Sequence, residues 1–153
     1  MLSVMDSKRI VAVLDAADDL TIATVRADGY PQATTVSFVN EELNIYFGTG
    51  AQSQKAKNIA LNDKVSVTVN LPYSKWNEIK GLNLAGHARR VITPDEFRRV
   101  GELMLSKFPQ ISQYADFSKG MELTLFRIDA EIISLLDYAQ GFGHTEFFDL
   151  REQ

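Results

Sequence analysis

The apolar positions of this chain change period several times, and each change marks an element. Ile10, Val13, Leu14 and Ala17 fall on one face of a helix that Asp6 and Ser7 are suited to cap. From Leu20 to Val25 apolar and polar residues alternate instead, Asp28-Gly29 supplies a hairpin turn, and Pro31 to Val39 runs back. Asn40-Glu41-Glu42 turns the chain again into Leu43 to Phe47, which completes a predicted β-meander. Gly48 to Gln52 breaks the sheet pattern, and Ser53 is the natural N-cap of a helix that runs to Leu61 and stops at Asn62-Asp63. Val65 to Val69 reads as a fourth strand, and Pro72 to Asn77 as a loop carrying the only tryptophan, Trp76. Ile79 to Val91 reads as a long fifth strand with Gly81 and Gly86 as bulge or close-approach points. Thr93-Pro94-Asp95-Glu96 is a capping box with proline at the first helical position, and Phe97, Val100, Met104 and Phe108 form the stripe of the helix it starts. Residues 110–119 read as irregular. Glu122 to Arg127 and Glu131 to Leu136 read as two last strands, before a tail from Asp137 to Gln153.

Six or seven short strands in hairpin order, with helices set between them, predict a mainly β chain: an antiparallel closed or half-closed barrel rather than parallel βαβ units. No repeat, low-complexity run or linker interrupts residues 1–153, so a single domain is expected. Composition narrows the function by exclusion. No segment reaches the ~18 consecutive apolar residues of a membrane span, and the N-terminus lacks the basic start of a signal peptide. The absence of cysteine removes disulfides, thiolate nucleophiles and zinc–thiolate sites, and with them goes the signature of an oxidising compartment; a cytoplasmic location is expected. A formal charge of −4 argues against sequence-independent nucleic-acid binding. His87 and His144 are the only histidines, and neither has a ligand partner at helical spacing, so no metal site is expected.

The segment Gly48 to Lys55 carries the chemistry. Its glycines let the backbone approach a ligand, and the helix that follows presents unpaired N–H groups and the positive end of its dipole. Lys55 adds a cation to that first turn, where it opposes the dipole, an arrangement that makes sense beside a bound anion such as phosphate. On these residues alone, a surface helix with an indifferent lysine is an equal alternative.

The order of these elements supplies more. A strand, an Asp-Gly hairpin, two strands ending Ile45-Tyr46-Phe47-Gly48-Thr49, the turn Ser53-Gln54-Lys55, a short helix and strand Val65 to Val69 resemble the pyridoxamine 5′-phosphate oxidase-like flavoproteins. The aromatic loop, the Gly86-His87-Ala88 strand and the capped helix continue the resemblance over roughly residues 5–137. It implies an FMN-binding split barrel, a homodimer with the cofactor at its interface, and a small-molecule electron donor or acceptor. It implies that Thr49, Ser53, Gln54 and Lys55 hold the phosphate. Thr35, Val36 and Ser37 would run along the flavin ring with Phe47 and Gly48, and Trp76 would lie near the flavin of the partner subunit, although packing at the dimer edge explains that tryptophan equally well.

The departures matter as much. Gln54 stands where an arginine is common in the oxidases proper. Ala33 and Phe38 stand where those enzymes carry basic residues for the cofactor phosphate and the substrate phosphate, and no basic C-terminal signature is present. The expected function is therefore an FMN-dependent oxidoreductase of another substrate, in which the flavin carries the chemistry and no side chain stands out as acid, base or nucleophile. Three alternatives stay open: a haem-utilisation protein, suggested by Gly141-Phe142-Gly143-His144; a non-enzymatic flavin-binding stress protein; and a deazaflavin in place of FMN. Burying a substrate's phosphate dianion without cations is costly. FMN-loaded protein given pyridoxamine or pyridoxine 5′-phosphate and oxygen should therefore produce no pyridoxal phosphate. Turnover near ~1 per second, an ordinary enzymatic rate, would overturn the argument from missing charges.

Overall fold

The computed structural model describes residues 2–114 and 122–152. In chain order the elements are α1 (Val4–Ala16), β1 (Asp19–Val25), β2 (Pro31–Ser37), β3 (Val39–Glu41), β4 (Asn44–Gly50), α2 (Gln54–Leu61), β5 (Lys64–Asn70), β6 (Lys80–Arg90), α3 (Pro94–Lys107), α4 (Ile111–Tyr114), β7 (Leu123–Asp137) and β8 (Thr145–Asp149). The strands form one 8-stranded antiparallel sheet in the order β2-β1-β5-β6-β7-β4-β3, with β8 added beside β7. The sheet curls until β2 and β4 approach each other without hydrogen-bonding, which makes it a split barrel.

The alternating segments become strands with one face in the core: β5 buries Val65, Val67 and Val69 and exposes the residues between them. In β4, Ile45, Tyr46 and Phe47 are all buried, because both faces of that strand are covered. Ile45 and Phe47 face the barrel interior with Ile22, Ile128 and Leu135, whereas Tyr46 joins Val39, Val91, Val100 and Leu125 beneath α3. Gly86 sits at the register shift in β6, where a Cβ would come within 2.0 Å of the Asp129 carbonyl oxygen, so this glycine does mark a bulge.

Five expectations are corrected. The cap of α1 is Ser3, whose hydroxyl accepts the Asp6 N–H, so the helix starts before Asp6 and Ser7. The return strand from Pro31 does not reach Val39 unbroken. It ends at Ser37, and Phe38 turns inward, fully buried, before β3 begins. The two last strands are one 15-residue strand, β7, which pairs with β6 along its length and with β4 and then β8 on its other side. The polar stretch around Asp129 lies at the register shift with β6, a bulge and not a turn. The tail contributes β8, whose apolar positions are too few to announce a strand and which is held by pairing with β7. Within the segment read as irregular, residues 111–114 form α4, and residues 115–119 lie outside the described residues.

One side chain ties the helical layer to the sheet. The Lys107 ammonium donates to the carbonyl oxygens of Ala17 (2.6 Å) and Phe38 (3.0 Å) and lies 4.3 Å from the centre of the Phe38 ring. Burial pushes its pKa below the ordinary lysine range, and the carboxylates of Asp18 and Asp15 act against that fall. Lys107→Met keeps the stem and removes both bonds, so it should cost about 1.5–3 kcal/mol of stability. A chemical denaturation midpoint unchanged from wild type would show that the ammonium contributes nothing net.

Candidate functional site

Where β2 and β4 part, a cavity of about 740 Å³ opens between the sheet and α3. Three strands and three helices line it. Val36, Ser37 and Phe38 come from β2 and its end, Gly48 and Thr49 from β4, and Leu123 and Leu125 from β7. Lys55 comes from the first turn of α2, and the helical wall is Phe97, Gly101, Met104, Leu105 and Phe108 of α3 with Ile111 of α4. Five of the expected residues thus meet at one cavity: Val36, Ser37, Gly48, Thr49 and Lys55. No ion-pair partner for Lys55 is found among the described residues.

The other five are placed differently. Ser53 lies behind the cavity wall as the N-cap of α2, its hydroxyl accepting the Ala56 N–H at 3.2 Å and the Thr49 hydroxyl at 3.0 Å. It positions Thr49 and Lys55 rather than facing the cavity itself. Gln54 turns away: its amide donates to the Asn58 side-chain oxygen at 2.8 Å, and buried Asn58 donates in turn to Thr24 Oγ1 and Gln32 Oε1, both at 3.0 Å. The chain of amides uses every hydrogen of the Asn58 side chain and fastens α2 to β1 and β2. Thr35 is exposed on β2 opposite Thr21 and does not line the cavity. The Phe47 ring is fully buried and stacks on Phe126 at 5.3 Å, so its side chain belongs to the core. Trp76 is 67% exposed in a 3-10 turn, 5.7 Å from Phe142, which also meets Tyr138 at 5.5 Å. That aromatic group lies where β6 begins and β7 ends, at the opposite end of β7 from the cavity.

Sequence reasoning missed the helical wall. The stripe Phe97, Val100, Met104, Phe108 was legible, and only Val100 is fully buried beneath the helix. The signal that it is two faces was the added Leu105 and Gly101, which widen the stripe beyond what one core contact needs. The histidines serve elsewhere. His87 lies between Asp63 (Nδ1 to Oδ1, 2.8 Å) and Glu131 (Nε2 to Oε1, 3.1 Å), and its hydrogen bond holds the Asp63 carboxyl below the usual range. His144 Nε2 is 3.5 Å from Glu146, whose carboxyl is held low chiefly by the Arg9 guanidinium. Among the described residues, no group of three or more His, Asp or Glu is arranged to hold a metal ion.

Residues 7–136 match the sequence profile described as pyridoxamine 5′-phosphate oxidase. The chain belongs to that family. No curated protein matches it. Among solved structures it is similar to a haem-binding protein from Mycobacterium smegmatis, with a TM-score of 0.78 at 18% identity, covering 97% of this chain and 59% of that one. This chain therefore spans 59% of the length of that relative. It is similar also to HutZ, the haem storage protein from Vibrio cholerae (TM-score 0.68, 22% identity, 81% and 89% covered). General Stress Protein 26 from Bacillus anthracis shares the fold as well (TM-score 0.64, 18% identity, 94% and 98% covered). At these identities the fold is what is shared.

The two positions where the oxidases are expected to carry basic residues can now be located. Ala33 is exposed on β2 opposite Ala23. Phe38 is fully buried, and its ring forms part of the cavity wall.

Proposed function

We propose that this member of the pyridoxamine 5′-phosphate oxidase family binds FMN and acts as an FMN-dependent oxidoreductase on a substrate other than a B6 phosphate. The observation that carries the reading is Lys55, a cation standing in the cavity wall next to Thr49, on a helix start braced by Ser53. The residues fit the cofactor in kind. Lys55 and the Thr49 hydroxyl suit a phosphate, the backbone of Val36 and Ser37 suits the edge of a flat ring, and Gly48 keeps the wall flush. A Cβ at Gly48 would stand 3.1 Å from Leu125. Bound flavin supplies two-electron and one-electron transfer; the protein binds and orients it and excludes water with Phe108, Leu123 and Leu125.

We infer a homodimer in the cytoplasm; the exposed Trp76 and Phe142 are available for its interface. Among the described residues, no helix is long and apolar enough to cross a membrane. A haem reading is the second, favoured by His144, whose buried Nε2 has only the Glu146 carboxylate at 3.5 Å and no well-formed hydrogen bond among the described residues, beside Gly141 and Gly143, both at positive φ. The absorption spectrum of the purified protein separates the two: flavin maxima support the first, a Soret band on haemin addition supports the second, and neither would overturn both.

Lys55→Ala should weaken FMN roughly 10- to 150-fold, the loss of one charge-assisted contact, while riboflavin, lacking the phosphate, should be nearly indifferent to the change. Equal losses for both ligands would show that Lys55 acts through folding. Light scattering should give about twice the 17.1 kDa chain mass, and a monomer at micromolar concentration would sink the dimer.

A further inference from the structure

The cavity has two chemically distinct walls. Ser37, Thr49 and Lys55 give the sheet side its polar groups, whereas α3 presents Phe97, Met104, Leu105 and Phe108. Phe97 and Leu105 are 42% and 51% exposed, so these large apolar side chains face the opening instead of the core, where Val100 already serves the helix. Exposed apolar surface gathered in a concave site marks a place where something apolar binds.

Between Phe97 and Leu105, four residues from each, stands Gly101. Glycine is among the poorest helix formers, and in the interior of a helix of 14 residues it needs a reason. Backbone geometry gives none, because Gly101 is not among the glycines at positive φ. Close packing gives none either, since a Cβ built there meets no atom within 4 Å among the described residues. What its missing side chain leaves is a notch in the cavity wall, flanked by a phenylalanine and a leucine and backed by the adaptable thioether of Met104. Rings pack well against such surfaces, and a charge held there would be stripped of water against apolar side chains.

We propose that this notch seats an uncharged, flat, apolar ring compound, and that Gly101 sets the size the cavity accepts. The proposal deepens the oxidoreductase reading, on which the sheet wall belongs to the cofactor and the α3 wall to its substrate.

The test uses N-phenyl-1-naphthylamine, an uncharged aromatic probe of three rings, titrated calorimetrically into the protein with and without saturating FMN. Its sulfonated analogue, 8-anilino-1-naphthalenesulfonate, is the charged control, measured with FMN present so that Lys55 is engaged. Wild type should bind the neutral probe at least tenfold more tightly than the sulfonate. Gly101→Leu should weaken the neutral probe tenfold or more, with FMN affinity and melting temperature equal to wild type or higher. Leu105→Ser, at a half-exposed position, should weaken it about fivefold and decides the matter if Gly101→Leu does not fold. No probe binding by wild type, or probe affinity unchanged in whichever variant is folded, overturns the notch. If FMN does not bind while probe binding persists and Gly101→Leu or Leu105→Ser still weakens it, the cofactor reading fails and the notch stands.

Discussion

Everything in this fold depends on a seam that the sheet leaves open. β2 and β4 face each other without exchanging hydrogen bonds, so the curl has to be held by what is packed across it. Phe38 and Phe47 fill part of the gap, both fully buried, and the cavity opens beside them with Phe38 in its wall. Lys107 fastens this region: its bonds satisfy the Ala17 carbonyl at the end of α1 and the Phe38 carbonyl at the break between β2 and β3, and they bring the end of α3 down beside the opening. The helix that closes the barrel on one face is thereby the helix that walls the site.

The position of Lys55 follows from a second fastening. α2 is only 8 residues long, too short to be stable alone, and its first turn bears no acidic residue to suit the dipole. It is held by the buried Asn58, which joins it to Thr24 and Gln32, and by Ser53 at its cap. Gln54 completes this brace, which explains why an amide rather than a guanidinium stands there: a charged side chain at that position would have to find a partner in an already saturated network.

Much of this was legible in the sequence where period and chemistry agree. The alternation in β1 and β5, the Ser53 and Thr93 caps, the Gly86 bulge and the glycine-to-lysine turn at the cavity all follow from local rules. The misread strands share a cause, which is that the deciding partner is remote in sequence. β7 stays a strand past Asp129 and Glu131 because β6 pairs with it on both sides of the register shift there, and β8 exists because the second half of β7 offers it an edge. Phe47 reads as a site residue by position and is a core residue by burial, since β4 is covered on both faces. Trp76 reads as a site residue by resemblance, and within one chain the length of β7 separates it from the cavity.

The distribution of charge makes the last link from fold to site. This is an acidic chain, and its arginines are largely spent on neighbours: Arg9 on Glu146 and Asp6, Arg89 on Asp129, Arg98 on Glu102, Arg99 on Glu41, Arg127 on Glu96 and Asp129, and Arg151 on Asp149. Most of these pairs are at the surface, where each adds little to stability. Their consequence is that most of the arginine charge is offset by neighbouring carboxylates. Lys107, the other cation near the opening, is turned inward to backbone carbonyls and is not among the residues lining the cavity. An anion entering this cavity therefore meets an apolar lining and Lys55, whose field that lining strengthens. On the proposed FMN reading, that arrangement suits a single phosphate on an otherwise apolar ligand.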